Sequence, residues 1–393
     1  MDKLFNNKYF KIFAPIIVMA TLAAAIFVAG PWGSDDVLEY ADDESILSSE
    51  PEPTPESTPE PTPEPEPGAE DEPEEEPDPT PSYLYNPLTG VLTYEDVSRM
   101  RPVAIMLSNV PEALPMNGVS QAAIIYEVLV EGGMTRMLAI FHDFSDVGVV
   151  GSIRSARHSY VEIVNAYDAI LLHAGGSPLA YTMIRNFGID NADEVTGVNA
   201  QIFSRTRDRV AGRTFSSLHA VITTGERTVE WFPEFGFRLE HSDDFEHALL
   251  FTDDPIPSEG TQARDVVVRF SGAKSSTFAF DEANNVYTMY QFNRDFIDAN
   301  NDELVVFTNL LILRTDVRAL TGPDAGAGRR DMDTTGTGEG YFVSNGRMVE
   351  IYWNRADVYS PFEYTLRDGT PLELGRGTTY IGLVPLNANI TFE

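Results

Sequence analysis

The stretch "GSIRSARHSY", 151–160, sets Arg154, Arg157 and His158 within five positions of one another. A second cationic group, "RTRDRVAGR", carries Arg205, Arg207, Arg209 and Arg213. Guanidinium groups grip phosphate or carboxylate oxygens in pairs, and the free amides at a helix start are ready anion donors. The two clusters therefore predict an oxyanion pocket. The competing use of the same charges is internal pairing with acids such as Glu127, Glu131, Asp143 and Asp168. Between the clusters, "HAGGSP", 173–178, places His173 at the end of an apolar run, ahead of Gly175, Gly176 and Ser177. Glycine lets backbone approach a ligand closely, so this turn joins the candidate site. His219, in "SSLHAVITT", completes it. For both histidines the alternative is a core position satisfied by internal hydrogen bonds.

Other chemistries lack their residues. The chain has no cysteine, hence no disulfide framework, thiolate metal site or thiol nucleophile. No serine elbow of the G-x-S-x-G type occurs, and the six histidines are scattered without zinc-site spacing. "HAGGSP" has neither the P-loop lysine nor the dinucleotide spacing. The reading thus assigns no metal and no cofactor.

The formal net charge of −34 is unevenly spread. Residues 35–50 hold seven acids, and 51–81 hold twelve acids and twelve prolines with no basic residue. Alternating Pro and Glu favour an extended polyproline II chain that cannot bury a core, so 33–82 reads as a disordered tether. From residue 82 onward 41 acids face 24 bases, a net of −17, which disfavours nucleic acid as a partner. Ahead of the tether, Lys3, Lys8 and Lys11 precede nineteen uncharged residues, 12–30. At about 1.5 Å rise per residue this run nearly spans a hydrocarbon layer of about 30 Å. It reads as a transmembrane signal anchor over 12–32, with 1–11 cytoplasmic and the remainder extracytoplasmic; a cleaved secretory signal is the other reading.

The candidate residues need elements to hold them. "RPVAIML", 101–107, and the pair "AAIIYEVLVEGG" and "TRMLAIFHD" around Gly132 and Gly133 predict strands, and "VVGSI" predicts a further one leading into the arginine turn. Tyr160, Ile163, Val164 and Tyr167 fall on one helical stripe. "AILLHAGG" predicts a buried strand, followed by a helix capped by Ser177 and Pro178 and stopped at Gly188. This alternation predicts an α/β domain over 83–255. Residues 262–393 read as a mostly β domain, with hairpin turns at Asn345-Gly346 and Asp368-Gly369. The glycine-rich "TGTGEGYF", 335–342, reads as a tight turn.

The ordered segments "NPLTG", "RPVAIMLSN", "VSQAAIIYEVLVEGGMTRMLAIF", "VGSIRSARHSYVEIVNAYDAILLHAGGSP", "VSNGRMVEIYWNRAD" and "GRGTTYIGLVP" resemble the YerB-like lipoprotein family of Gram-positive bacteria, over most of 85–388. The resemblance implies two consecutive domains without an established biochemical function. The family's lipobox cysteine is absent here, and of its "R-x-A-P-H-N" run only His219 has a counterpart. More faintly, the layout of "GGMTRMLAIF", "SIRSARHSYVEI", "HAGG" and "RTRDR" is similar to LytR-CpsA-Psr proteins, which transfer lipid-linked polymers to the cell wall using arginines around a pyrophosphate. Here Ser155 stands where that layout has an aspartate.

The leading expectation is a membrane-tethered cell-envelope protein that binds a phosphorylated wall precursor through Arg154, Arg157, Arg205 and Arg209, with Gly175, Gly176 and Ser177 closing the site. A phosphotransferase acting on a lipid-linked glycopolymer would also need an acid to hold a divalent ion, for which Glu127, Glu131 and Asp208 are candidates. A scaffold recruiting partners through its β domain would leave the arginines in ion pairs.

Overall fold

A computed structural model of the chain describes residues 84–255 and 260–393. The candidate anchor, the tether and 256–259 lie outside the described residues. Among the described residues no helix is long and apolar enough to cross a membrane.

The elements used below are, in chain order, β1 (Val103–Asn109), β2 (Ile124–Leu129), β3 (Thr135–Phe141), β4 (Val149–Gly151), α1 (His158–Ala166), β5 (Ile170–His173), α2 (Pro178–Phe187), β6 (Asn191–Asp193), β7 (Ser204–Arg205), β8 (Val221–Thr224) and α3 (Gly225–Phe235). The downstream half adds β9 (Thr261–Gln262), β10 (Asp265–Arg269), β11 (Ser275–Asp281), β12 (Val286–Gln291), β13 (Asn309–Thr315), β14 (Gly336–Ser344), β15 (Arg347–Arg355), β16 (Glu363–Leu366), β17 (Thr379–Pro385) and β18 (Ile390–Phe392). The content is mostly β with few helices; both helices predicted in the upstream half are present, and α3 is an additional one.

Both halves build one eleven-stranded sheet in the order β9-β15-β14-β13-β17-β2-β3-β1-β5-β6, with β16 paired to β15. The seam is the parallel pairing of β17 with β2, from Thr379 opposite Ile124 to Leu383 opposite Val128. β2, β3 and β1 are antiparallel neighbours, whereas β1, β5 and β6 run parallel.

The apolar run of β1 follows from burial on both faces. Ile105 and Leu107, with Ile125 and Met137, join a core that includes Val266, Val268 and Phe278 of the second sheet. Ala104 and Met106, with Tyr126 and Leu138, face Tyr160, Val161 and Val164 of α1 and Ala180 and Ile184 of α2. The central sheet therefore lies between a helical layer and a smaller antiparallel sheet built on β12, β11, β10 and β18.

The predicted helix signals hold. Ser177 Oγ accepts the Ala180 amide at 3.2 Å, Pro178 opens α2, and Gly188 ends it at φ 66°. The β14–β15 turn places Asn345 and Gly346 at φ 51° and 70°, as a tight hairpin requires. Two expectations change. β4 joins β8 and β7 in a separate three-stranded sheet instead of entering the main one. The run 335–342 is no turn: from Gly336 it is strand β14, and a side chain at Gly338 would strike the Trp353 indole on the paired strand.

Candidate functional site

β1 ends at Asn109 because Val110 precedes Pro111, which favours extended backbone at Val110 and offers no amide to continue pairing. β2 and β3 are joined through Glu131, Gly132 and Gly133, the glycines supplying φ of 68° and 72°. The arginine turn crosses these strand ends. Ile153 donates its amide to Val221 O at 2.9 Å and Arg154 donates to Met106 O at 2.8 Å, so the turn is stitched to both sheets. His219 closes the fourth side from a short 3-10 turn before β8.

Together these segments enclose a cleft of about 300 Å³ lined by Asn109, Glu131, Thr135, Arg136, Arg154 and His219, among others. Arg136 donates to the Ser155 carbonyl, and Arg154 donates to Leu218 O at 2.9 Å. Neither has a carboxylate partner among the described residues. Burial, with Arg157 and Arg154 adding like charge, pulls the Arg136 pKa down to about 9. Burial also lowers Arg154, reinforced by Arg157 and Arg205. His219 is lowered by burial and by Arg154, and its buried Nδ1 has no hydrogen-bond partner. The cleft is an electropositive spot in an acidic protein.

The cleft floor is fixed from behind. Glu127, fully buried, accepts from Asn109 Nδ2 at 2.9 Å, Thr135 Oγ1 at 2.6 Å, Ser276 Oγ at 2.7 Å and Tyr380 OH at 3.0 Å. Lys274 Nζ lies 3.0 Å from Glu127 Oε1. Asn109 Nδ2 also donates to Thr135 Oγ1 at 2.9 Å, which leaves Asn109 Oδ1 buried without a partner.

Of the ten sequence-predicted residues, the structure brings Arg154 and His219 to this cleft. Arg157 lies beside it but is gripped in two places by Glu131, at 2.7 and 3.0 Å. Burial would raise the Glu131 pKa, but the hydrogen bonds and charge of Arg157 outweigh it and hold the carboxyl below its usual range. Arg205 is paired twice with Glu194, at 2.5 Å each. Arg209 is a structural clamp that donates to Ala113 O at 2.6 Å, Pro115 O at 2.9 Å and His219 O at 3.2 Å, over the Phe215 ring. The expected convergence of four arginines is thus corrected: carboxylates and carbonyls of the protein occupy three of them.

The glycine turn is also filled from within. Gly175 donates its amide to Asp193 Oδ1 at 2.7 Å, and the same carboxylate accepts Tyr181 OH at 2.8 Å and Thr196 Oγ1 at 2.9 Å. The Ser177 amide goes to Ala156 O, Gly176 packs against the Tyr181 ring, and His173 is fully buried with Nδ1 2.9 Å from Gly175 O. His158 points away, to Asp331 at 3.0 Å. The anion this turn was built for is Asp193 itself.

Arg136 and Asn109 were missed as site residues. The available signal was a polar residue at each strand end, Arg136 just after the double-glycine turn and Asn109 just before a proline, where side chains leave the sheet's packed middle.

Comparisons with known proteins fit this architecture. Residues 88–229 match the N-terminal domain of a protein family of unknown function, DUF3048, and 266–381 match its C-terminal domain. The chain belongs to this two-domain, YerB-like family. A curated relative, "Putative lipoprotein YerB" of Bacillus subtilis (strain 168), is 28% identical over 311 residues, 78% of this chain and 88% of the relative. The crystal structure of YerB from Bacillus subtilis superimposes with a TM-score of 0.66 at 26% identity, covering 78% of this chain and 99% of the other. The family is one of unknown function.

Proposed function

We propose that this chain is a membrane-associated, extracytoplasmic envelope protein whose cleft at the end of the central sheet binds an anionic ligand. Arg136 and Arg154 are the donors, with His219 at the rim. One observation carries the reading: two adjoining guanidiniums, Arg136 and Arg154, line an open cleft with no carboxylate in hydrogen-bond or ion-pair contact, because the one carboxylate in its lining, Glu131, is gripped by Arg157, while Arg205 is neutralised by Glu194. Unpaired like charges held together destabilise one another, and an anion relieves that repulsion. The membrane part rests on the uncharged run 12–30 behind three lysines and on the lipoprotein name of the relative.

No observation favours the phosphotransferase reading. Glu127 is consumed by its buried network, Glu131 by Arg157, and Asp208 is exposed on the loop beyond β7. The scaffold reading accounts for Arg157 and Arg205 but leaves Arg154 unexplained.

Calorimetric titration of the whole 393-residue chain with inorganic phosphate and pyrophosphate tests the proposal. Saturable binding that weakens with salt, and that Arg154→Ala and Arg136→Ala each reduce at least about tenfold, is expected of charge-assisted hydrogen bonds. Absence of binding in the wild-type chain, or binding unaffected by both substitutions, would overturn it.

A further inference from the structure

We infer that the cleft selects a small phosphomonoester bearing a hydroxyl group, as in a phosphorylated polyol or sugar. The inference rests on the anion-binding reading and narrows it by charge and by one open hydrogen-bond valence.

Charge comes first. Four guanidiniums, Arg136, Arg154, Arg157 and Arg205, are close enough to influence one another. Glu131 pairs with Arg157 and, at 3.7 Å, with Arg329, and Glu194 pairs with Arg205, so at least two positive charges remain at the cleft. A carboxylate or phosphodiester supplies one compensating charge, whereas a phosphomonoester carries about −1.5 to −2 at neutral pH. A dianion matches the site.

The second observation is independent of charge. Asn109 is fully buried and lines the cleft, and its Oδ1 has no partner. Its orientation is not free to reverse, because Glu127 Oε1 demands the amide nitrogen at 2.9 Å. An unpartnered buried acceptor carries a desolvation penalty that a ligand donor removes. The dianion of a phosphomonoester offers no such donor of its own; a hydroxyl near the phosphate does. The resulting pattern is two cationic donors for the phosphate and one neutral acceptor for the hydroxyl. About 300 Å³ accommodates a ligand of this size.

A minimal ligand pair tests this on the whole wild-type chain: ethyl phosphate and 2-hydroxyethyl phosphate, which differ by one hydroxyl, beside inorganic phosphate. The hydroxylated compound is expected to bind on the order of tenfold more tightly, the scale of one hydrogen bond to a buried acceptor. In Asn109→Leu that preference is expected to collapse. If both esters bind the wild-type chain equally, the hydroxyl assignment is wrong and the anion cleft stands. If no phosphate compound binds, both readings fall. The wild-type comparison decides even where Asn109→Leu does not fold.

Discussion

Lys274 Nζ lies 3.0 Å from Glu127 Oε1, and both side chains are fully buried. Lys274 is the single lysine beyond residue 11, and it joins the downstream half of the chain to β2 of the upstream half. Burial lowers its pKa while Glu127 pulls it back up. Ser276 and Gln291 hold the ammonium group and Glu127 together, and Asn109 connects the network to the cleft. The seam between the two halves thus includes a charged pair as well as the β17–β2 ladder.

Breaking one side of this pair leaves an uncompensated buried charge. Lys274→Met is expected to cost about 3–5 kcal/mol, and Glu127→Gln a comparable amount, whereas the double substitution costs much less than their sum. Urea unfolding of the four proteins measures the coupling. Additive losses would show that the two charges do not depend on each other.

The physical limits of sequence reading are visible in particular residues. The strands around "VAIML" and "IIYEVL", and the Ser177-Pro178 and Gly188 helix ends, are set by local patterning and were legible. The β17–β2 seam was not, because strand pairing between positions 124 and 379 leaves no local signature. At the site, arginine clustering led to Arg154, but which charges remain unpaired depends on distant partners. Glu131 and Glu194 reach Arg157 and Arg205 only after folding, and Asp193 fills the glycine turn from a neighbouring strand. The orphan acceptor of Asn109 exists only because Glu127 fixes its amide.

Arg154 and Arg209 lie in the two clusters that look alike in sequence and should separate in experiment. Arg209 satisfies three buried or partly buried carbonyls and stacks 3.8 Å over Phe215. Arg209→Ala is expected to lower stability by about 2–4 kcal/mol through those orphaned acceptors, with phosphate affinity of the folded protein unchanged. Arg154→Ala, which removes a like charge from Arg136 and Arg157, is expected to leave stability within about 0.5 kcal/mol or raise it, and to abolish binding. Denaturant midpoints and calorimetry on the same two variants decide; the reverse pattern would exchange their roles.

Stability should also respond to pH through a histidine that the candidate site does not use. His142 ends up buried, with only weak support for its ring from the Val97 backbone. Burial, helped by His247 and His241 and opposed by Asp143, lowers its pKa from 6.5 to about 4. The folded state thus favours the neutral ring, and between these two values the unfolded chain binds the extra proton. The stabilisation is complete above pH 6.5, declines as pH falls through the window down to about 4, and is lost below it. At about 1.4 kcal/mol for each tenfold change in proton affinity, the loss is on the order of 3 kcal/mol. His247 and His219, both lowered by burial, act in the same direction. Urea midpoints of the wild type and of His142→Phe at pH 7.5, 6.5, 5.5 and 4.5 isolate the contribution of this ring. The wild-type curve is expected to fall more steeply than that of the variant below pH 6.5, and parallel curves would mean that His142 is not the group that titrates.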